Sequence, residues 1–400
     1  MPESALDGVK VLDLTHHVAG PYCTKLLADF GADVVKIERP LTGDPARGMA
    51  PFYHDEPDPE KSLLFAYLNT SKQSITLNLK SEDGRGILLR LAQEADILVE
   101  NFSPRVMSSL GLNYQELQKA NPEIVAVSIS NFGQSGPYRD FLATDLIEYA
   151  LGGLSYIFGS NDGAPLKHAL RQAQFKAGTN AASAALIGLY ARNAGGEGQQ
   201  IDVSIQECMA SCLRDTTSLY TYTGAIRRRQ PAFSGDIPRS PTKTRDGYIV
   251  PVSFGDEDWS ASAELLQAPE LLRPQFATPE LRRQNASELD EITRAVFERQ
   301  DSSELFRSAH ERRGFIYGVV NNPQDVAKSP QYQARGYFVD IEHPVMGPVK
   351  SPGAPFVMSG TPWSARSPAP TLGQHNREIL GDRLGYSAAE LPQMRASGVI

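Results

Sequence analysis

The segment Leu170–Gly178 reads LRQAQFKAG, and Thr179 and Asn180 then open an alanine-rich helix. A position just before a tightly packed helix suits a reactive side chain. This one offers two amides, Gln172 and Gln174, and no carboxylate, thiol or hydroxyl. Elsewhere, Cys208 and Cys212 have the spacing of neighbours on one helical face. No nearby His or Cys completes a ligand set, so they read as small helical hydrophobes and no metal is expected. More informative are the loops that follow the apolar runs, THHVAGP, IERP, ENFSP and NFGQSGP. They are rich in Gly, Pro, Asn and Arg, which expose backbone N–H groups or bind anions, and so point to a phosphorylated or nucleotide-like ligand. A dehydrogenase would place G-x-G-x-x-G after the first strand. Here that position reads His16-His17-Val18-Ala19-Gly20-Pro21, and the second strand ends in Glu38-Arg39, where Arg39 favours a phosphate. No nicotinamide cofactor is expected. The cluster Gly195-Gly196-Glu197-Gly198 precedes the strand IDVSI and reads as a helix-to-strand turn.

The elements that must position these loops alternate. VKVLDLT, DVVKIER, SITLNL, DILVENF and EIVAVSISNF read as strands, and GPYCTKLLADFGA and GRGILLRLAQEA as helices between them. That order implies right-handed crossovers and a parallel sheet covered on both faces, with ligands at the carboxyl ends of its strands. From about Ala225 to Val320 the texture changes to that of a smaller domain, PVMGPVKSPGAPFVMSG then reads as extended edge structure, and a C-terminal helix is expected from about Asn376. The formal charge of −8 and pI near 5.5 argue against a nucleic-acid partner, and Arg227-Arg228-Arg229 reads as a solvated face. Three cysteines make no disulfide framework, which fits a reducing cytosol. The N-terminus carries no signal-peptide pattern, and the most apolar stretch, Ala181 to Ala191, is too short to span a bilayer. A soluble, cytoplasmic protein without a membrane partner is the expectation.

The stretches LDGVKVLDLTHHVAGPYCTKLLADFGADVVKIERPLTGD, LNTSKQSITLNLKS, DILVENFSP, GGEGQQIDVSIQE, GFIYGVV and APTLGQHNREILGDRLG resemble the class III CoA-transferases, the group of formyl-CoA transferase, carnitine CoA-transferase and α-methylacyl-CoA racemase. The resemblance implies an α/β fold: a large Rossmann-like domain with a parallel sheet built from both chain ends, a small α+β domain, and an interlocked dimer. The expected boundaries are 1–224 for the N-terminal part of the large domain, 225–325 for the small domain and 326–400 for the segment returning to the large one. The small-residue helix Ala181 to Gly188 is compatible with close packing. Family contacts to CoA fall on Val18, Ala19 and Arg39, on Leu77, Asn78, Leu79 and Lys80, and on Asn101, Phe102 and Ser103. Lys72, at the mouth of the sheet, is also read as facing the ligand. A family arginine that assists CoA binding falls on Ser109.

Family transferases attack the acyl-CoA thioester with one Asp. A mixed anhydride forms, CoA thiolate converts it to an aspartyl thioester, and the acceptor acid collects CoA by the reverse steps. That Asp falls on Gln174, and neither Gln172 nor Asp162, in an Asn-Asp-Gly turn, replaces it. The mobile glycine-rich loop of many members corresponds to Pro231–Thr242, which has only Ser234-Gly235-Asp236, and the racemase Gly-His-Asp triplet reads Ala143-Thr144-Asp145. Three functions follow. The chain is the non-catalytic subunit of a heteromeric CoA-transferase whose related partner subunit carries the Asp, moving CoA from a donor such as succinyl-CoA to a small carboxylic acid, with aromatic dicarboxylates such as benzylsuccinate as one class. Or it is a lyase, hydratase or isomerase of a CoA thioester. Or it is a CoA-binding regulator.

Overall fold

Six short strands form one sheet: β1 (Lys10–Asp13), β2 (Asp33–Glu38), β3 (Lys72–Thr76), β4 (Ile97–Glu100), β5 (Val125–Ser130) and β6 (Gln200–Ser204). Of these, β1, β2, β4 and β5 are largely apolar runs, while β3 and β6 mix in polar residues. The structure, a computed structural model, describes residues 4–159, 163–229, 237, 240–252, 259–312 and 315–400. The strands pair in the order β3-β2-β1-β4-β5-β6, every pair parallel. Their side chains alternate between two cores: Val11, Val99 and Val127 enter one layer, Leu12, Leu98 and Ala126 the other. Sheets buried on both faces need such apolar runs. The strand SITLNL starts earlier than its alternation implies, at Lys72.

Between the strands run α1 (Ala19–Ala28), α2 (Leu63–Leu68), α3 (Glu82–Ala92), α4 (Val106–Ser109), α5 (Tyr114–Ala120), α6 (Asp145–Leu151), α7 (Leu154–Ile157) and α8 (Gln172–Asn193). The buried face of α8 is built from Ala173, Ala177, Gly178, Ala181, Ala182, Ala185 and Gly188. A Cβ on Gly178 would lie 2.5 Å from the Ala19 carbonyl oxygen, so this glycine is what lets α8 approach α1. The two short helices α9 (Ile205–Ala210) and α10 (Arg214–Thr223) follow β6.

All six strands come from residues before 205. The C-terminal end of the chain joins this unit at the exposed edge of β3 without adding a strand. His375 N donates to Ser74 O (2.9 Å), Ser74 N to His375 Nδ1 (3.0 Å), and Thr76 N to Asn376 Oδ1 (2.8 Å). Capping an edge in this way blocks further strand addition. The helix expected from Asn376 is a π-helical turn, Arg377–Arg383, followed by a separate helix, Glu390–Ala396. The Pro/Gly-rich stretch before it closes a hairpin, Phe338–His343 against Gly347–Pro352.

The first compact unit comprises Met1–Ile157, Leu166–Arg227 and Ala334–Ile400, and the second Phe158–Pro165 and Arg228–Gln333. The span 225–325 differs from this, and a cut at 325 would divide the helix Pro323–Lys328, whose capping box joins Asn322 and Asp325. The second unit pairs Thr242–Lys243, Tyr248–Val252 and Ile316–Val319 antiparallel around a core that includes Phe276, Leu289 and Phe297. Asp162 and the triplet Ser234-Gly235-Asp236 lie outside the described residues. Among the described residues no helix is long and apolar enough to cross a membrane, and no cluster of His, Cys, Asp or Glu could hold a metal ion.

Candidate functional site

The strand order reverses between β1 and β4, and at such a switch point the loops beyond the two strands part to leave a crevice. Here they are tied at its base: His16 N donates to Asn101 Oδ1 and Asn101 Nδ2 donates to His16 O, each at 2.8 Å. Burial, with the nearby Lys36, brings His16 down to about 4, so its ring is neutral at pH 7. Above this tie opens a cleft of about 710 Å³. Of the expected ligand residues, Val18, Asn101, Phe102 and Ser103 line it, and so does Gln174.

The others do not. Ala19 is buried at the start of α1, and Leu77 is buried in the core beneath α3. Asn78 serves the C-terminus: its N donates to Val399 O (2.8 Å) and its Nδ2 to Gly398 O (3.1 Å). Leu79 is half-buried against the same core, while Arg39 and Lys80 are exposed and lie outside the cleft wall. Ser109 donates to Val106 O within α4. Lys72 needs correction. It is fully buried, and its Nζ donates to Asp13 Oδ2 (3.0 Å), Pro21 O (2.9 Å) and Asn69 Oδ1 (2.8 Å), so it faces no ligand.

Lys72 belongs to an ionic cluster that fixes the loops after β1 and β2. Lys36 Nζ pairs with Asp44 Oδ2 at 2.9 Å and donates to Thr15 O at 2.8 Å. Arg47 grips Glu38 through Nε (2.7 Å) and Nη2 (2.8 Å), and its Nη1 reaches Glu60 (2.7 Å). Asp44 Oδ1 accepts from His17 N (3.0 Å), joining the two loops.

The opposite wall is built by β5, α6 and α8. Asp145 Oδ1 accepts from the N–H groups of Ala173 (2.8 Å) and Gln174 (3.3 Å), two of the donors that the first turn of α8 leaves unpaired. Its Oδ2 pairs with Lys167 Nζ at 2.9 Å. One turn along α6 stands Glu148, fully buried. Gln174 Nε2 donates to Glu148 Oε2 at 2.8 Å. In the amide orientation that satisfies both groups, Asn131 Nδ2 donates to Glu148 Oε1 at 2.9 Å and Asn131 Oδ1 accepts from Ala143 N at 3.1 Å. Burial pushes the Glu148 carboxyl up to about 7, with Asp145 adding to the rise against the Gln174 hydrogen bond.

Sequence reasoning overlooked Glu148. Its signal was the i,i+3 spacing from Asp145, which puts both carboxylates on one helix face. It also overlooked Ser130, the last residue of β5, whereas Asn131 opens the NFGQSGP loop already read as a ligand loop. Chemically, the wall offers amides and hydroxyls to a ligand. Of the cleft-lining carboxylates, Asp140 is paired with Arg105 (2.6 Å) and Arg139 (3.0 Å), and Asp145 is held as above. Glu148 lies behind Gln174.

The sequence profile of CoA-transferase family III matches residues 6–376. The chain is 34% identical over 398 residues to the succinyl-CoA:glutarate CoA-transferase of Mus musculus, which covers 99% of this chain and 90% of that protein. It is 32% identical to the succinyl-CoA–D-citramalate CoA-transferase of Chloroflexus aurantiacus, with 100% of this chain and 99% of that protein covered. Among solved structures, a CAIB/BAIF family protein from Brucella suis matches with a TM-score of 0.86 at 28% identity, over 95% of this chain and 99% of that chain. With the parallel sheet, the switch-point cleft and a match along nearly its whole length, this chain belongs to CoA-transferase family III.

Proposed function

We propose that this chain is a subunit of a CoA-transferase that binds a CoA thioester in the switch-point cleft, while the nucleophilic Asp comes from a related partner chain. One observation carries the reading: Gln174 occupies the wall where family resemblance puts the nucleophile, and its amide is engaged with Glu148. An amide carries no negative charge and forms no anhydride, and the cleft-lining carboxylates are bound by cations or by the start of α8. The donor would be a thioester such as succinyl-CoA, in keeping with the substrates for which the relatives are named. The acceptor would be a carboxylic acid, with aromatic dicarboxylates such as benzylsuccinate as one class. CoA itself would run from the cleft toward Arg39 and Lys80.

A partner subunit is supported by exposed apolar side chains along three helices of the large unit. Leu146 and Leu151 on α6, Ile187 and Tyr190 on α8, and Tyr222 on α10 are each more than half exposed, Tyr222 to 86%. Faces of this kind mark protein interfaces, and an interlocked dimer would cover them. The test is co-purification with a neighbouring homologous chain, followed by an assay of CoA transfer between two acids. Full activity of the isolated chain would overturn the reading.

One observation favours a second reading. Burial raises the Glu148 carboxyl to about 7, the range suited to a general base, and Glu148 stands one side chain behind the cleft-lining Gln174. A lyase, hydratase or isomerase acting beside the thioester carbonyl would then catalyse exchange of solvent deuterium into the α-carbon of a bound acyl-CoA. The transferase-subunit reading expects no such exchange.

A further inference from the structure

We propose that the cleft wall is an acyl subsite for the monothioester of a dicarboxylic acid: Arg171 takes the free carboxylate, and Gln174 with Ser130 donates to the thioester carbonyl. This rests on the CoA-thioester reading above and adds the chemistry of the acyl group. No covalent step is involved, since the thioester is held and not cleaved here.

The first support is a guanidinium without a counter-charge. Arg171 lines the cleft at the foot of α8, half-buried. The other cations of this wall are committed, Arg105 and Arg139 to Asp140, and Lys167 to Asp145. Among the described residues no carboxylate lies within ion-pair distance of Arg171. Arginine stays protonated in proteins, and its planar fork matches a carboxylate with two parallel hydrogen bonds.

The second support is a buried hydroxyl. Ser130 lines the same cleft at the end of β5, only 6% exposed, and its Oγ has no hydrogen-bond partner. Buried polar groups are normally paired, so a ligand oxygen at this point would complete it. Gln174 is the third support. One Nε2 hydrogen is taken by Glu148, which leaves the second hydrogen available toward the cleft that Gln174 lines. Two neutral donors suit a carbonyl oxygen, which carries partial negative charge and needs no proton. A carboxylate at that spot would instead meet Glu148 and Asp145. Arg171 is the N-cap residue of α8, just outside the helix, and Gln174 stands in its first turn, so both side chains line the cleft at a separation of only three residues. A short dicarboxylic chain can bridge that separation. Glu148 acts as a positioning residue, because its grip on Nε2 decides how the amide faces the cleft.

The test is calorimetric binding to the full-length chain of three ligands: CoA, and the uncleavable ketone analogues of butyryl-CoA and succinyl-CoA in which a methylene replaces sulfur. A charged hydrogen bond predicts that the succinyl analogue binds at least about 10-fold tighter than the butyryl one. Arg171→Gln should abolish that difference and leave CoA affinity unchanged, and Arg171→Lys should keep part of it. Ser130→Ala and Gln174→Ala should weaken both acyl analogues several-fold relative to CoA while keeping the succinyl preference. Glu148→Ala should lower the acyl-over-CoA ratio as Gln174→Ala does, whereas a merely structural role would weaken all three ligands alike. Equal binding of the two acyl analogues by the unaltered chain, or an undiminished preference in Arg171→Gln, overturns the proposal alone. Failure to bind even CoA would remove the CoA-thioester reading and this subsite with it.

Discussion

In the unit built on the parallel sheet, two groups of ionisable side chains are handled in opposite ways. Beneath β1, β2 and β3, Asp13, Lys36, Lys72, Glu38 and Arg47 are all buried, and every charge meets an opposite one. On the far side of the cleft Glu148 is just as buried, but its partners are the neutral amides of Gln174 and Asn131. The consequences for protonation diverge. Burial pushes Asp13 up, yet Lys36, Lys72 and the Thr15 and Thr24 hydroxyls outweigh it and hold the carboxyl far below its usual range. For Glu148 nothing outweighs burial, and it rises to about 7. Lys72 shows the cost of the first arrangement: burial brings it down to about 8 against the pull of Asp13, with Lys36 adding repulsion. A saturated cluster fixes loops and leaves no valence for a ligand. A wall with a spare amide hydrogen, an unpaired hydroxyl and an unpaired guanidinium has groups to give.

The strongest break in this contrast would come from Lys72→Ala. Removing one partner of a buried pair costs about 3–5 kcal/mol, and because Asp13 keeps Lys36 at 3.9 Å the loss should fall at the lower end of that range. Urea denaturation should register that loss, while Gln174→Ala should cost about 1 kcal/mol, the scale of one ordinary hydrogen bond. Equal losses would mean that the two regions play the same structural part.

A binding measurement sharpens the comparison from the other side. Arg39 leaves β2 on the loop that the ionic cluster pins, and it is exposed. If that loop presents Arg39 to a CoA phosphate, Arg39→Ala should weaken CoA binding by about 1.5–3 kcal/mol, roughly 10- to 150-fold, at unchanged stability. Unaltered affinity would move the CoA tail elsewhere.

A third prediction uses pH. Because Glu148 holds its proton more tightly in the folded chain (about 7) than at its ordinary value of 4.5, its contribution to stability is full below pH 4.5 and is lost as pH rises toward 7. Asp13, lowered on folding, contributes in the reverse sense: its share is present above the ordinary carboxyl range and is lost as pH falls below it. Replacing Glu148 by Gln should therefore flatten the decline in melting temperature between pH 5 and 8. Part of the slope should persist, since burial also raises Glu100 to about 7. An identical slope in the Glu148→Gln chain would place the titrating group elsewhere.

Much of the scaffold was legible in the sequence because parallel strands buried on two faces cannot hide their composition. VKVLDLT, DVVKIER and DILVENF each hold a strand of the parallel sheet, while the meeting of the loops after β1 and β4 came only with the strand order. The fate of Lys72 was not legible. A lysine read as facing a ligand at the mouth of the sheet becomes a buried ion-pair partner only when the fold brings Asp13, 59 residues away, within 3.0 Å. Glu148 was hidden for a similar reason: one more acid on an amphipathic turn gains meaning only when α8 sets Gln174 against it. Local pattern reports which face is buried, and long-range pairing decides which charges share that face.

The central claim is that the position of the attacking carboxylate in this family is held here by an amide that performs no covalent chemistry. It is tested most directly by incubating the purified chain with succinyl-CoA, splitting the sample with and without hydroxylamine, and analysing its peptides by mass. The expected result is no acyl adduct on Gln174, on any other residue from Leu170 to Gly178, or on Glu148, and no transfer of CoA to a second acid. A hydroxylamine-sensitive adduct at any of these positions, or turnover by the chain alone, would contradict it.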